Sequence, residues 1–210
     1  MAAVLYFGPF FSRIYDPASL QGREWNRQEE AIIVFSGDSI VGGFGLPGAF
    51  PEILRDKLIE KNTAGITIHN EGVNGYTTAD IIRTLPSILN AHRPDLVFLH
   101  IGWNDYKNNR NIELFADNYR EIMEIFQGET AVPVVMTTTQ VNIPLANRGI
   151  RGYNDVIKDL AEEYDTPVLD IYSVFQKKSR RQGNESAVPE CFNFGRRKDC
   201  SWRKEQYQTA

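Results

Sequence analysis

Ser39 is the residue whose surroundings best suit chemistry. It follows the apolar run Ala31 to Ser36 and lies in Gly37-Asp38-Ser39. A serine presented just past a buried strand can attack a carbonyl, provided a base takes its proton and donors receive the developing charge. The same stretch offers a rival chemistry. Gly43-Phe44-Gly45-Leu46-Pro47-Gly48 spells G-x-G-x-x-G, the pattern that wraps a dinucleotide pyrophosphate, and Glu71 lies 23 residues beyond Gly48, where a ribose-binding acid would sit. That fingerprint needs its first glycine at the strand end. Here Gly37 to Gly42 intervene, and Pro47 stands where the phosphate-binding helix should already be running. These glycines read instead as a loop.

Other reactive residues are sparse. The three histidines are His69, His92 and His100, and the two cysteines are Cys191 and Cys200. His69 is expected at the end of a strand, His92 at a helix end, and His100 on a sheet face below the strand ends. Scattered in this way they make no metal site. The cysteines are too few for a disulfide framework, and Cys200 has no paired histidine to activate it.

The elements that must position Ser39 follow from periodicity. Short apolar runs predict strands at Ala31 to Ser36, Ile66 to His69, Leu96 to Ile101, Pro133 to Thr138 and Pro167 to Ile171. Helical spacing links Phe50, Ile53, Leu54 and Leu58. It links Ile81, Ile82, Leu85, Ile88 and Leu89, after a capping-box-like Thr77-Thr78-Ala79-Asp80 and with a kink expected at Pro86. Ile112, Phe115, Tyr119, Ile122 and Phe126 mark a further helix, and Ile150, Tyr153, Ile157, Leu160 and Tyr164 another. This alternation specifies an α/β fold, a three-layer α/β/α sandwich with about five mostly parallel strands. In such folds ligands bind at the carboxyl ends of the strands. Those ends lead into Gly37-Asp38-Ser39, Asn70-Glu71-Gly72-Val73-Asn74-Gly75, Gly102-Trp103-Asn104-Asp105 and Thr139-Gln140-Val141-Asn142.

With these blocks in place, the chain resembles the SGNH, or GDSL, hydrolase family of esterases, lipases and acyl thioesterases. Gly37-Asp38-Ser39-Ile40 matches the first family block, and "GGFGLP" after it is similar to the loop of the thioesterase and arylesterase branch. "NEGVNGYTT" (70–78) looks like the second block and "GWND" (102–105) the third, while 153–175 resembles the penultimate helix and fifth strand. The resemblance implies a flavodoxin-like domain over 31–176, with 1–30 as an arm and 177–210 as an atypical tail. It implies a serine hydrolase acting on carboxylic esters or thioesters, needing no cofactor and no metal. Ser39 would be the nucleophile. The backbone N–H groups of Ser39 and Gly75 and the side-chain amide of Asn104 would form the oxyanion hole, and Trp103 would either wall the acyl pocket or serve in packing. Asn at 104 suits the role, because a carboxylate would repel the oxyanion.

The departure is the base. The family takes it from the His of a C-terminal D-x-x-H block, and this sequence has no His after His100. Asp170 matches a common family Asp on the fifth strand, not the D-x-x-H Asp, and Asp199 leads to no His. Residues 177–210 hold nine Lys/Arg against four Asp/Glu, while the remainder holds 14 against 23. The tail is long enough for the missing block but has the wrong content. A splice form, a shifted frame, a mis-called exon or a divergent non-catalytic member each account for it. Impaired hydrolysis, a ligand-binding or scaffold role without catalysis, and a dinucleotide binder stand as alternatives.

Bulk properties add exclusions. The chain has 210 residues, 42% hydrophobic content and net charge −4, which fit one core and give no hint of a nucleic-acid partner. No apolar run approaches a membrane span, and Val4 to Phe11 is interrupted by Gly8 and Pro9 with no basic residue ahead of it. A cytoplasmic protein acting on a small-molecule ester or thioester is the expectation.

Overall fold

The computed structural model describes residues 31–44, 48–61, 65–140 and 144–181. Their strands are β1 (Ala31–Gly37), β2 (Ile66–Gly72), β3 (Leu96–His100), β4 (Val132–Met136) and β5 (Val168–Leu169). Their helices are α1 (Phe50–Glu60), α2 (Thr78–His92), α3 (Trp103–Lys107), α4 (Ile112–Gln127), α5 (Pro144–Glu163) and α6 (Ile171–Arg181). The strands form one parallel sheet in the order β2-β1-β3-β4-β5. The α/β architecture expected from the alternation of patterns is the one observed.

The two faces of the sheet are distinguished by the side-chain alternation of β1. Val34 joins a core built from α2 (Ile81, Leu85, Ile88, Leu89), α4 (Phe115, Tyr119, Ile122, Met123, Phe126) and α5 (Ile150, Tyr153, Ile157, Leu160). These are the helical stripes that the sequence spacing marks out. Phe35 points the other way. It stacks on Phe98 of β3 at 4.7 Å and meets Phe50 of α1 edge-on at 5.3 Å. α1 covers the edge strand β2 rather than the middle of the sheet, and Ile53 on its expected apolar face is half-exposed.

Several boundaries differ from expectation. β2 runs on through Asn70-Glu71-Gly72, because these polar residues pair with Phe35-Ser36-Gly37 of β1 through backbone groups that no hydropathy pattern reports. His69 is therefore inside the strand and not at its end. β5 is only two residues long, and α6 begins directly after Asp170. α2 is continuous across Pro86. The Asp half of its expected capping box is present, with the Asp80 carboxylate accepting both the backbone N–H of Thr77 (2.8 Å) and its hydroxyl (2.7 Å).

Asp170 explains why a helix follows β5. Its carboxylate accepts the Ser173 backbone N–H at 3.1 Å and the Ser173 hydroxyl at 2.7 Å, and so caps α6. It also accepts the Thr137 hydroxyl at 3.0 Å and pairs with Lys158 at 2.8 Å, fastening α6 to the ends of β4 and α5. Burial opposes ionisation of this carboxyl, but the bonds from Lys158 and Ser173 outweigh it and hold the group below its ordinary value near 3.8. A depressed carboxyl stabilises the fold above its unfolded pKa and loses that contribution as pH falls through the folded one. Asp170→Ala is expected to cost about 1–2 kcal/mol in urea unfolding at pH 7, and the gap from wild type to narrow at pH 3.

Candidate active site

The order β2-β1-β3 brings three strand ends side by side, with the β1 loop in the middle. The packing there is backbone against backbone. A Cβ on Gly37 would stand 2.1 Å from the His100 carbonyl oxygen, and one on Gly72 would stand 2.2 Å from the Gly42 nitrogen. Only glycine permits these approaches. The β1–β2 contact continues past both strands, as Val73 donates its backbone N–H to Gly37 O at 3.0 Å.

Ser39 lies on a tight turn. Asp38 Oδ1 accepts the Ile40 N–H at 2.9 Å, Asp38 O accepts from Gly42 N at 3.0 Å, and Ser39 O accepts from Phe44 N at 3.0 Å. From Val34 to Val41 every residue except Ser39 is buried. Within that run Ser39 is the one residue that keeps partial exposure.

The facing loops carry the other two expected residues. Gly75 has φ +83°, and a Cβ there would meet nothing within 4 Å. It is glycine for its backbone conformation, not for lack of room. Asn104 is buried at the start of α3 and donates its Nδ2 to Tyr76 O at 2.8 Å. This bond ties the Gly75 loop to the end of β3. Trp103 is only 6% exposed, stacks near Tyr106 at 5.7 Å and belongs to the core, so packing is the role visible for it.

Sequence reasoning assigned no task to Asp105, and the structure gives it one. Its carboxylate accepts the backbone N–H and the hydroxyl of Thr78 (3.0 and 2.7 Å), with Arg110 at 3.8 Å. Thr78 is the first residue of α2, so Asp105 satisfies a free helix N-terminus from the neighbouring helix α3. Asn118 of α4 closes the group by donating to the Thr78 hydroxyl at 3.0 Å. Thr138, at the fourth strand end, is similarly held by Asn154, which accepts from its N–H and its hydroxyl at 2.8 Å each. Thr139 and Gln140 are buried beside it, while Val141 and Asn142 lie outside the described residues.

The histidines divide into two places. His69 and His92 stack with ring centres 4.1 Å apart, and His92 Nε2 bonds Glu71 at 2.7 Å. Glu71 is thus engaged by a histidine where the dinucleotide reading had it on a ribose. Gly43 has φ +69° in a loop that precedes α1, which starts only at Phe50; residues 45–47 of that motif lie outside the described residues. His100 is wholly buried at the end of β3, with Nδ1 3.6 Å from Asp38 Oδ1. Cys191, Asp199 and Cys200 lie outside the described residues. No helix among the described residues is long and apolar enough to cross a membrane.

A parallel α/β sheet with a serine turn, a positive-φ glycine and an asparagine at three adjacent strand ends defines a class of protein, and sequence comparison identifies it. The profile of the GDSL-like Lipase/Acylhydrolase family matches residues 35–187. The chain belongs to this family. It is 29% identical over 137 residues to an arylesterase of Vibrio mimicus, covering 64% of this chain and 65% of the relative. It is 28% identical over 146 residues to thioesterase 1/protease 1/lysophospholipase L1 of Escherichia coli K12, covering 67% of this chain and 66% of the relative. The match thus spans just under two thirds of these relatives. An acetyl-xylooligosaccharide esterase of Geobacillus stearothermophilus shares the fold, with TM-score 0.66, 20% identity, and coverage of 72% of this chain and 81% of that one.

Burial raises the Asp105 carboxyl, although the Thr78 bonds and Arg110 pull it the other way. A raised carboxyl favours the folded state most when protonated, and that contribution fades as pH rises through the folded pKa. Asp105→Ala leaves buried Thr78 donors without an acceptor and is expected to cost about 2–4 kcal/mol by chemical unfolding at pH 7. Asp105→Asn retains an acceptor and removes the charge, and should cost less than half as much.

Proposed function

We propose that the chain is a serine ester or thioester hydrolase by construction, with Ser39 as nucleophile. The observation that carries this is the partial exposure of Ser39 within an otherwise buried run, on a turn fixed between the ends of β2 and β3. The Ser39 hydroxyl oxygen attacks the acyl carbon, and the carbonyl oxygen becomes an oxyanion. The backbone N–H groups of Ser39 and Gly75 and the Asn104 amide are the donors assigned to it. Asn104 spends one amide proton on Tyr76 O, which leaves the other for the oxyanion.

Turnover by this exact sequence is expected to be weak. His92 is committed to Glu71 and His69 is stacked on it, while His100 has no exposed surface. The sequence after His100 holds no His to take the serine proton. In other serine enzymes, loss of a triad member lowers turnover by about 10⁴- to 10⁶-fold. p-Nitrophenyl ester hydrolysis should therefore be slow, be abolished by Ser39→Ala, and fall by a further factor of about 10²–10³ in Asn104→Ala. Rapid turnover together with fast fluorophosphonate labelling of Ser39 would mean a base is present after all. Equal residual rates in wild type and S39A would remove the hydrolase reading. It would leave the second one, an acyl-ligand-binding family member without catalysis, which tight binding of an acyl product by both proteins would support.

The flanks of the site favour an apolar acyl group. Phe44 is 67% exposed and one hydrogen bond from Ser39 O, while Val73 is 39% exposed and similarly tied to Gly37 O. Across a C2 to C10 ester or acyl-product series, residual rate or affinity should rise with chain length. Phe44→Ser should flatten that rise by about 3- to 10-fold at the long end, since one buried CH₂ is worth about 0.8 kcal/mol.

A further inference from the structure

The pair Asp38–His100 lies beneath the nucleophile turn and takes no part in the mechanism above. Both side chains are fully buried. Asp38 Oδ1 accepts the Ile40 N–H, but Oδ2 has no hydrogen-bond partner among the described residues, and neither does either ring nitrogen of His100. A buried carboxyl with one bond and a buried imidazole with none are each costly. The two side chains meet at His100 Nδ1, which lies 3.6 Å from Asp38 Oδ1. Closing that gap by less than an ångström gives the imidazole its one hydrogen bond and the carboxyl its second. The backbone holds the pair in place, since Gly37 and His100 are register partners in β1 and β3, and the His100 carbonyl bears on Gly37.

We infer that His100 is a positioning residue: it carries its proton on Nδ1, donates it to Asp38, and so holds the Asp38–Ile40 turn that aims the Ser39 backbone N–H and hydroxyl. The consequence for reactivity rests on Ser39 being the nucleophile; the hydrogen bond itself does not. Asp38 has two roles here, its Oδ1 accepting from Ile40 and receiving the His100 Nδ1 proton. Its rotamer is fixed only while both donors are present.

The side-chain geometry supplies a test. The amide nitrogen of Asn lies near the position of histidine Nδ1, and that of Gln near Nε2. His100→Asn should therefore preserve the turn, while His100→Gln and His100→Leu should not. In wild type, nitrogen-15 NMR is expected to show His100 protonated at Nδ1. Hydrogen exchange at the Ile40 amide should accelerate at least 10-fold in H100Q and stay within 3-fold of wild type in H100N, with Val97 and Leu99 amides unchanged in both. Fluorophosphonate labelling of Ser39 should slow at least 10-fold in H100Q through the maximal rate and not the half-saturating concentration. If H100L fails to melt cooperatively, the H100N and H100Q pair carries the comparison. An Nε2-protonated His100, or equal Ile40 exchange in H100N and H100Q, overturns the inference. Absent labelling in wild type alongside the expected exchange pattern overturns only the nucleophile reading.

Discussion

The close approach of three backbones at the carboxyl edge of the sheet is the constraint on which the site depends. β1 ends against the His100 carbonyl on one side, and its loop runs against Gly72 on the other. No side chain fits at Gly37 or Gly72, so the three strands end at one level and their loops converge. Ser39, Gly75 and Asn104 are 29 and 36 residues from their neighbours in the site along the chain, and this edge is what makes them candidates for a single task. A methyl group at Gly37 would have to displace β1 from β3, because the atom it meets is backbone and cannot rotate away.

Polar side chains near that edge stabilise the arrangement by satisfying backbone groups that the strand ends and helix starts leave open. Asp38 bonds its own turn, Asn104 the Tyr76 carbonyl, Asp105 the first turn of α2, Asn154 the Thr138 amide, and Asp170 the first turn of α6. Apart from Asp38, each links two elements distant in sequence or caps a helix at the sheet edge. Buried polar groups are costly unless bonded, so these pairs specify geometry as much as they add stability. Asp105 and Asp170 also respond to acid in opposite senses. Burial dominates the first, and the ammonium of Lys158 with the Ser173 bonds dominates the second.

Membership of the GDSL-like Lipase/Acylhydrolase family gives this edge a chemical meaning without settling a substrate. The turn that carries Ser39 is built by strand register and glycine backbones.

The sequence by itself determined the alternation of strand and helix and the apolar stripes of α2, α4 and α5, and it named Ser39, Gly75 and Asn104 as candidates, because each depends on local spacing or on a short motif. It misplaced the end of β2, whose last three residues are polar and are held by backbone pairing with β1. It missed α3, which is only 5 residues long, and α6, whose first residue it read as the end of the fifth strand; only the Asp170-to-Ser173 spacing signalled the latter. Asp105 was legible as part of a motif but not as the partner of Thr78, and His100 was legible as a strand residue but not as the neighbour of Asp38. Those assignments needed the tertiary structure. Parallel strands adjacent in a sheet are far apart in sequence, and no local pattern records which loop meets which.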